Sequence, residues 1–232
     1  MKSINTIVCS PLNKLPSSLT FYQQLKFKSV DGPLQNLFSD GALIIELDES
    51  AYARPSLKLY KENWDNEMAQ LKGFAKYVAL EDNILVAAPS GMWVHLFQMS
   101  NDSAFILPAK VDSVLGSFAG ISLESIDLDA SISFWNLFGF KIVSGSSEQG
   151  WVSLKAADSM VLSIMKANSC PHLFFTPSLT FFNGKENLDI IERIKKIPID
   201  ITQEVTVFND EGIVDNVILT DPGGLGFFVF ND

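Results

Sequence analysis

"IDLDASISFWNLFGFKIV", residues 126–143, decides how the chain folds. Leu128, Ile132 and Trp135 recur at i, i+4 and i+7, which makes one apolar face of a short helix. Asp127 stands just ahead of that helix, where a carboxylate suits the helix dipole. The pattern also occurs 113 residues earlier. "LPSSLTFYQQLKFKSV" from Leu15 lies on "LDASISFWNLFGFKIV" from Leu128, with Ser18 on Ser131, Phe21-Tyr22 on Phe134-Trp135 and Phe27-Lys28 on Phe140-Lys141.

Two further matches follow in the same order. "PSLKLYKE" from Pro55 pairs with "PSLTFFNG" from Pro177 at an offset of 122, and "PSGMWVHLF" from Pro89 pairs with "PGGLGFFVF" from Pro222 at 133. An ordered series with growing offsets describes a duplicated unit whose second copy carries loop insertions. In each copy an apolar strand ("INTIVCS", "GISLES") precedes the helix, and strands such as "ALIIELD" and "MVLSIM" follow it. A second helix is clearest in "KENLDIIERIKKIP", with Leu188, Ile191 and Ile194 on one face and Pro198 closing it; its first-copy equivalent is "WDNEMAQLKGF". Each half therefore reads as two βαβββ units, four in the chain, an α+β fold. The expected division is a first domain over 1–100, a connector over 101–118 and a second domain over 119–232. "GSSEQG" (145–150) and "DPGGLG" (221–226) lack phosphate-loop spacing before a helix and read as hairpin turns.

Composition narrows the function. With 47% hydrophobic and 19% charged residues, the 232-residue chain has ordinary globular usage and enough core to fold without staples. Its net charge is -10, and the 17 Lys and Arg form no dense run beyond "ERIKKIP" (192–198), which argues against nucleic acid or an anionic membrane as partner. No stretch approaches the roughly 20 apolar residues of a spanning helix, and the start "MKSINTIVCSPLNK" is too short in apolar residues for a secretory signal. Cys9 and Cys170 make no disulfide framework, so a cytoplasmic protein is expected. "Cys170-Pro-His172" reads as a proline-containing loop rather than a metal-ligand pair.

At these residues the chain resembles the vicinal oxygen chelate superfamily, the glyoxalase, bleomycin-resistance and extradiol dioxygenase group. Asp127-Leu128, Ser131, Phe134-Trp135 and then Phe138-Gly139-Phe140 are similar to the family's D-L-x-x-S-x-x-F-Y followed by L-G-F. Asp221-Pro222 with Gly224, ahead of "LGFFVF", is similar to its closing D-P-x-G turn. The first half departs from the pattern, with Lys14 for the Asp, Lys26 for the Gly and Ala88 before Pro89. The resemblance implies tandem βαβββ modules forming curved, cup-shaped mixed sheets with flanking helices. It also implies three metal-ligand places per half, which fall on Ile7, Ser56 and His95 and on Gly120, Ser178 and Phe228. Only His95 is a ligand type, and one imidazole does not hold a catalytic metal.

The resemblance therefore implies a glyoxalase- and bleomycin-resistance-like protein without metal or other cofactor, binding a small aromatic or anionic molecule in a cup. Strand parity points Ser56, Lys58, Tyr60, Trp93 and His95 into the first cup. It points Ser178, Thr180 and Phe228, with Phe182, Gly226 and Phe230, into the second. No catalytic residue is assigned, and whether the chain is an enzyme stays open. Two alternatives stand beside this reading: a metal-dependent lyase or dioxygenase with a displaced site that includes His95, and a pocket-less interaction or scaffold protein whose cups are filled core. The expected partner is a small-molecule ligand, with no nucleic acid and no membrane, and the chain is expected to be a monomer or weak homodimer.

Overall fold

A computed structural model describes residues 5–12, 15–31, 34–99, 105 and 113–231. Most of the expected connector, and Lys14, lie outside these residues. The first half runs β1 (Asn5–Pro11), α1 (Leu15–Gln24), β2 (Lys28–Ser29), β3 (Leu37–Ser39), β4 (Ile44–Asp48), β5 (Ser56–Lys61), α2 (Asp65–Leu71), β6 (Tyr77–Ala79), β7 (Asn83–Ala87) and β8 (Trp93–Gln98). The second runs β9 (Phe118–Ser125), α3 (Leu128–Leu137), β10 (Lys141–Ser146), β11 (Trp151–Lys155), β12 (Val161–Lys166), β13 (Ser178–Phe182), α4 (Asn187–Ile194), β14 (Ile201–Val205), β15 (Asn216–Thr220) and β16 (Gly226–Phe230). This is the fourfold βαβββ order read from the repeat.

The strands form two eight-stranded mixed sheets of identical topology, β2-β3-β4-β1-β5-β8-β7-β6 and β10-β11-β12-β9-β13-β16-β15-β14. In each module the first and fourth strands pair in parallel, which requires the chain to cross over through the helix. The two modules of a half meet where their first strands pair antiparallel, β1 on β5 and β9 on β13.

Alternate residues of the central strands serve two environments. Val8, Ile45, Leu47, Leu57, Leu59, Val94 and Leu96 pack with Phe21 and Tyr22 of α1 and with Leu25 just after it. The corresponding face of the second sheet, with Ile121, Leu123, Leu179, Phe181, Phe227 and Val229, belongs to the same continuous core. The halves are thus joined through their helix-side faces. Polar ties also join the halves: the Thr6 amide donates to Asp158 Oδ2 at 2.9 Å, and the Ser10 and Tyr22 hydroxyls donate to Asp221 Oδ2 at 2.5 and 2.7 Å. Asp221 Oδ1 accepts the Gly223 and Leu225 amides of its own turn, so the buried carboxylate meets four donors.

The opening motif has a physical role at each position. Asp127 caps α3, its Oδ1 accepting the Ala130 amide at 2.9 Å. Leu128, Ser131, Phe134 and Trp135 are its buried face, and Ser131 Oγ donates to Ser125 Oγ at the end of β9. The helix ends with the Phe140 amide on Trp135 O and Gly139 at φ +86°, a left-handed stop. In α4 the structure corrects the expected face. Ile190, Ile191 and Ile194 are buried with Asn187, whose amide donates to Asp215 O and Val229 O, while Leu188 is 50% exposed. The demand of two backbone carbonyls for a donor rotates the helix away from the purely apolar stripe.

The first copy ends α1 in the same way but without glycine. The Phe27 amide reaches Tyr22 O at 2.9 Å, and Lys26 sits at φ +64°. A left-handed non-glycine residue carries a penalty of about 1 kcal/mol. Lys26→Gly is therefore expected to stabilise the protein by up to about 1 kcal/mol, and Gly139→Lys to destabilise it by a similar amount, in equilibrium urea unfolding.

Candidate functional site

Strand register assembles the first cup from residues far apart in sequence. Ile7 lies opposite Lys58 and Cys9 opposite Ser56 across β1 and β5, and Lys58 lies opposite His95 across β5 and β8. Across β1 and β4, Cys9 lies opposite Glu46. Opposed residues share a face, and period two adds Asp48, Tyr60, Trp93 and Phe97 to it. All five first-half residues chosen from sequence thus share the face turned away from the helices.

Lys58 is the centre of this face. Its Nζ donates to Glu46 Oε1 at 2.9 Å and to Asp48 Oδ2 at 2.7 Å, with the lysine side chain 7% exposed. Burial works against the Lys58 charge, but its carboxylate partners Glu46 and Asp48 outweigh burial and hold its pKa above the ordinary value. Burial pushes Glu46 up despite Lys58. Asp48, which burial would also raise, is held below its usual range by hydrogen bonds from Lys58 and the Ser50 amide. The Cys9 thiol lies 3.6 Å from Asp48 Oδ2, and burial pushes its pKa up to about 12, so it is neutral and unreactive at neutral pH.

Aromatic rings form the other wall. Tyr60 stacks on Phe97 at 5.0 Å, His95 on Phe97 at 6.3 Å, and the Arg54 guanidinium lies 3.5 Å above the Trp93 ring. His95 Nδ1 lies 3.1 Å from Asn83 Oδ1, which ties the imidazole to the start of β7. Among the described residues, Glu46 Oε2 and Tyr60 Oη are buried without a hydrogen-bond partner, and Ser56 Oγ has none beyond the weakly bonding thiol of Cys9. Sequence reading missed Glu46, Asp48 and Cys9. The signal was the spacing in "IELD", two acids at period two on a strand otherwise apolar.

The second cup is filled. Phe228 and Phe230 stack at 5.4 Å, Phe174 packs on Phe228 at 5.1 Å, and the His172 ring lies 5.0 Å from Phe230 and 5.3 Å from Phe228. Phe175 covers Gly226 so closely that a Cβ there would lie 2.7 Å from its ring. Ser122 and Thr180 hydroxyls bond each other at 2.7 Å, and Ser178 Oγ donates to Phe175 O. Ser178, Thr180 and Phe228 share one face, as parity requires, but their polar atoms are paired and the space above them holds the chain's own rings.

The donor set does not fit a divalent metal at the places the fold implies. The row through Ile7 and His95 contains the ammonium of Lys58, and the row through Gly120 and Phe228 contains Thr180. A Cβ at Gly120 would lie 2.8 Å from Val161 O, so no ligand side chain can stand there. Among the described residues no group of three His, Cys, Asp or Glu converges on a point.

The two sheets have the fold seen in extradiol dioxygenases of known structure. A variant of homoprotocatechuate 2,3-dioxygenase from Brevibacterium fuscum matches with a TM-score of 0.59 at 12% identity, over 100% of this chain and 72% of that one. The Arthrobacter globiformis homoprotocatechuate 2,3-dioxygenase matches with 0.53 at 10% identity, over 98% and 79%. A catechol 2,3-dioxygenase matches with 0.50 at 13% identity, over 98% and 91%. At these identities the likeness is one of fold. No protein-family model matches the sequence, and no curated protein matches it significantly. No described helix is long and apolar enough to cross a membrane.

His95 gives the site a pH signature. Burial first, and Lys58 second, lower its pKa from 6.5 to about 4. A base whose pKa falls on folding contributes stability that is full above pH 6.5 and is lost as pH falls towards 4. The melting temperature of the wild type is therefore expected to drop more between pH 7 and 4.5 than that of His95→Gln, the difference vanishing above pH 7.

Proposed function

We propose that this chain is a metal-free, glyoxalase- and bleomycin-resistance-like binding protein that holds a small aromatic molecule in its first cup. The carrying observation is the trio of buried polar atoms, Glu46 Oε2, Ser56 Oγ and Tyr60 Oη, left without a strong partner among the described residues, beside a wall of aromatic rings. Unpaired buried groups cost about 1–3 kcal/mol each unless water or a ligand meets them. These atoms carry no accessible surface and Phe105 packs on Tyr60, so a planar ligand bearing hydroxyl or amine groups would take the place of the Phe105 ring to stack on the wall and meet the trio. Lys58 is already neutralised by two carboxylates, which favours the aromatic over the anionic ligand of the sequence reading. Phe105 lies edge-on against Tyr60 at 5.1 Å, so the first cup too is covered by one of the chain's own rings, and it is preferred to the second for its unpaired polar groups rather than for open space. The free thiols of Cys9 and Cys170 fit action in the cytoplasm.

Thermal shift with phenol, catechol and benzoate tests the proposal. Saturable stabilisation by phenol or catechol is expected, weaker with benzoate. Ser56→Ala and Tyr60→Phe each remove an orphaned hydroxyl, so they should leave the free protein as stable or more stable while weakening the ligand about tenfold, or 1.4 kcal/mol. No stabilisation by any of the three, or variants that bind as well as wild type, would overturn it. Stabilisation by a divalent metal that is lost in His95→Ala would establish the displaced metal-site reading in its place.

A further inference from the structure

Among the described residues, each sheet ends in two strands that pair on one side only: β2 and β6 in the first, β10 and β14 in the second. An unpaired edge invites another strand, and folded proteins blunt such edges with brevity or bulges. Three of these four are blunted. β2 is two residues long, and the ladders of β10 with β11 and of β14 with β15 both shift register. β6 keeps a regular ladder with β7, closed at its ends by the Ala87 amide on Lys76 O and the Leu80 amide on Asn83 O. Tyr77, Val78 and Leu80 are exposed there, Val78 by 57%. The same bonds fix what the edge offers. Lys76, Val78 and Leu80 turn their backbone groups towards β7, so by alternation the N–H and C=O of Tyr77 and Ala79 point outward.

We infer that β6 is the seam of a two-fold homodimer, pairing antiparallel with β6 of a second copy. The strand complements itself. A two-fold axis at Val78 sets Tyr77 opposite Ala79 of the second copy, so every outward N–H and C=O of both residues is met in four hydrogen bonds. A centre on Tyr77 would instead set Ala79 opposite Ala75, whose amide is already given to Leu71 O, and a centre on Ala79 would set Tyr77 opposite Glu81 in the bend that leads into β7. With the axis at Val78 the large Tyr77 lies beside a small alanine, and Leu80 covers the stem of Lys76. Charge selects the same arrangement. Lys76 stands before the strand and Glu81-Asp82 after it, and among the described residues none of the three is held in an ion pair. Antiparallel pairing brings Lys76 of each copy to the Glu81-Asp82 end of the other, whereas parallel pairing would gather like charges. Val78 lies opposite Leu85, and Leu85 opposite His95, so the seam would join the first-cup faces of the two copies side by side.

Sedimentation velocity on the full chain, from about 1 μM to about 1 mM, tests this, and a reversible monomer–dimer equilibrium is expected. Val78→Lys sets two like charges together on the axis, and Lys76→Glu sets like charges at both ends of the seam. Each should weaken the dimer about tenfold or more while the melting temperature of the dilute protein is kept. Adding Glu81→Lys and Asp82→Lys to Lys76→Glu should restore the dimer. In a Cys170→Ser background, Val78→Cys should cross-link copy to copy with oxidised glutathione, because a residue on the axis meets itself within disulfide reach; Ala79→Cys should not. Monomer at every concentration, a dimer that survives both Val78→Lys and Lys76→Glu, or cross-linking through Ala79→Cys in preference to Val78→Cys would overturn the assignment. The cysteine variants carry the test should the charge-swapped bend fail to fold.

Discussion

A strand presents successive side chains to opposite sides, and in this protein the central strands are covered on both sides. Each must therefore supply an apolar row to the helices and a second row to its cup. Leu57 and Leu59 go one way; Ser56, Lys58 and Tyr60 go the other. Ile45 and Leu47 go one way; Glu46 and Asp48 go the other. A slip of one residue in either strand would drive charged groups into the core that joins the two halves. Register, once set by that core, fixes what faces the cup.

Within the first cup the charges come as a set. An ammonium this deeply buried is tolerable only with its carboxylates, and each carboxylate only with the ammonium, because removing one partner strands the other in a poorly solvated place. The set still leaves one Glu46 oxygen and two hydroxyls unmet. The second cup has resolved the same geometry differently: its hydroxyls pair with each other or with backbone, and phenylalanine rings take the volume. Both cup faces are buried under the chain's own rings, but one duplicated sheet keeps charged and unpaired polar groups there and the other does not.

Most of the fold was legible because the repeat exposed it. Asp127 and Gly139 announce a helix start and stop by their chemistry alone, and Trp135 and Phe134 mark the buried face. The first copy hid its stop because Lys26 adopts the left-handed conformation that sequence assigns to glycine. The cup-facing rows, Lys58 and His95 among them, followed from period two. Glu46 and Asp48 carried a signal in their spacing, but their meaning depended on Lys58, and that pairing is set by the order of strands β4, β1 and β5, which no local pattern reveals. The filling of the second cup was illegible for another reason: His172, Phe174 and Phe175 lie outside any strand or helix, where no periodicity tells inward from outward.

The central claim is that the two cups differ, one polar with unmet groups and one self-filled. Electron density in both cups of protein crystallised as purified tests it most directly. The account expects water or a bound small molecule bridging Glu46 Oε2, Ser56 Oγ and Tyr60 Oη, with Phe174 and Phe175 seated over Phe228 and Gly226. A first cup in which those three atoms are paired to the chain's own side chains, or a second cup that is open, would contradict it.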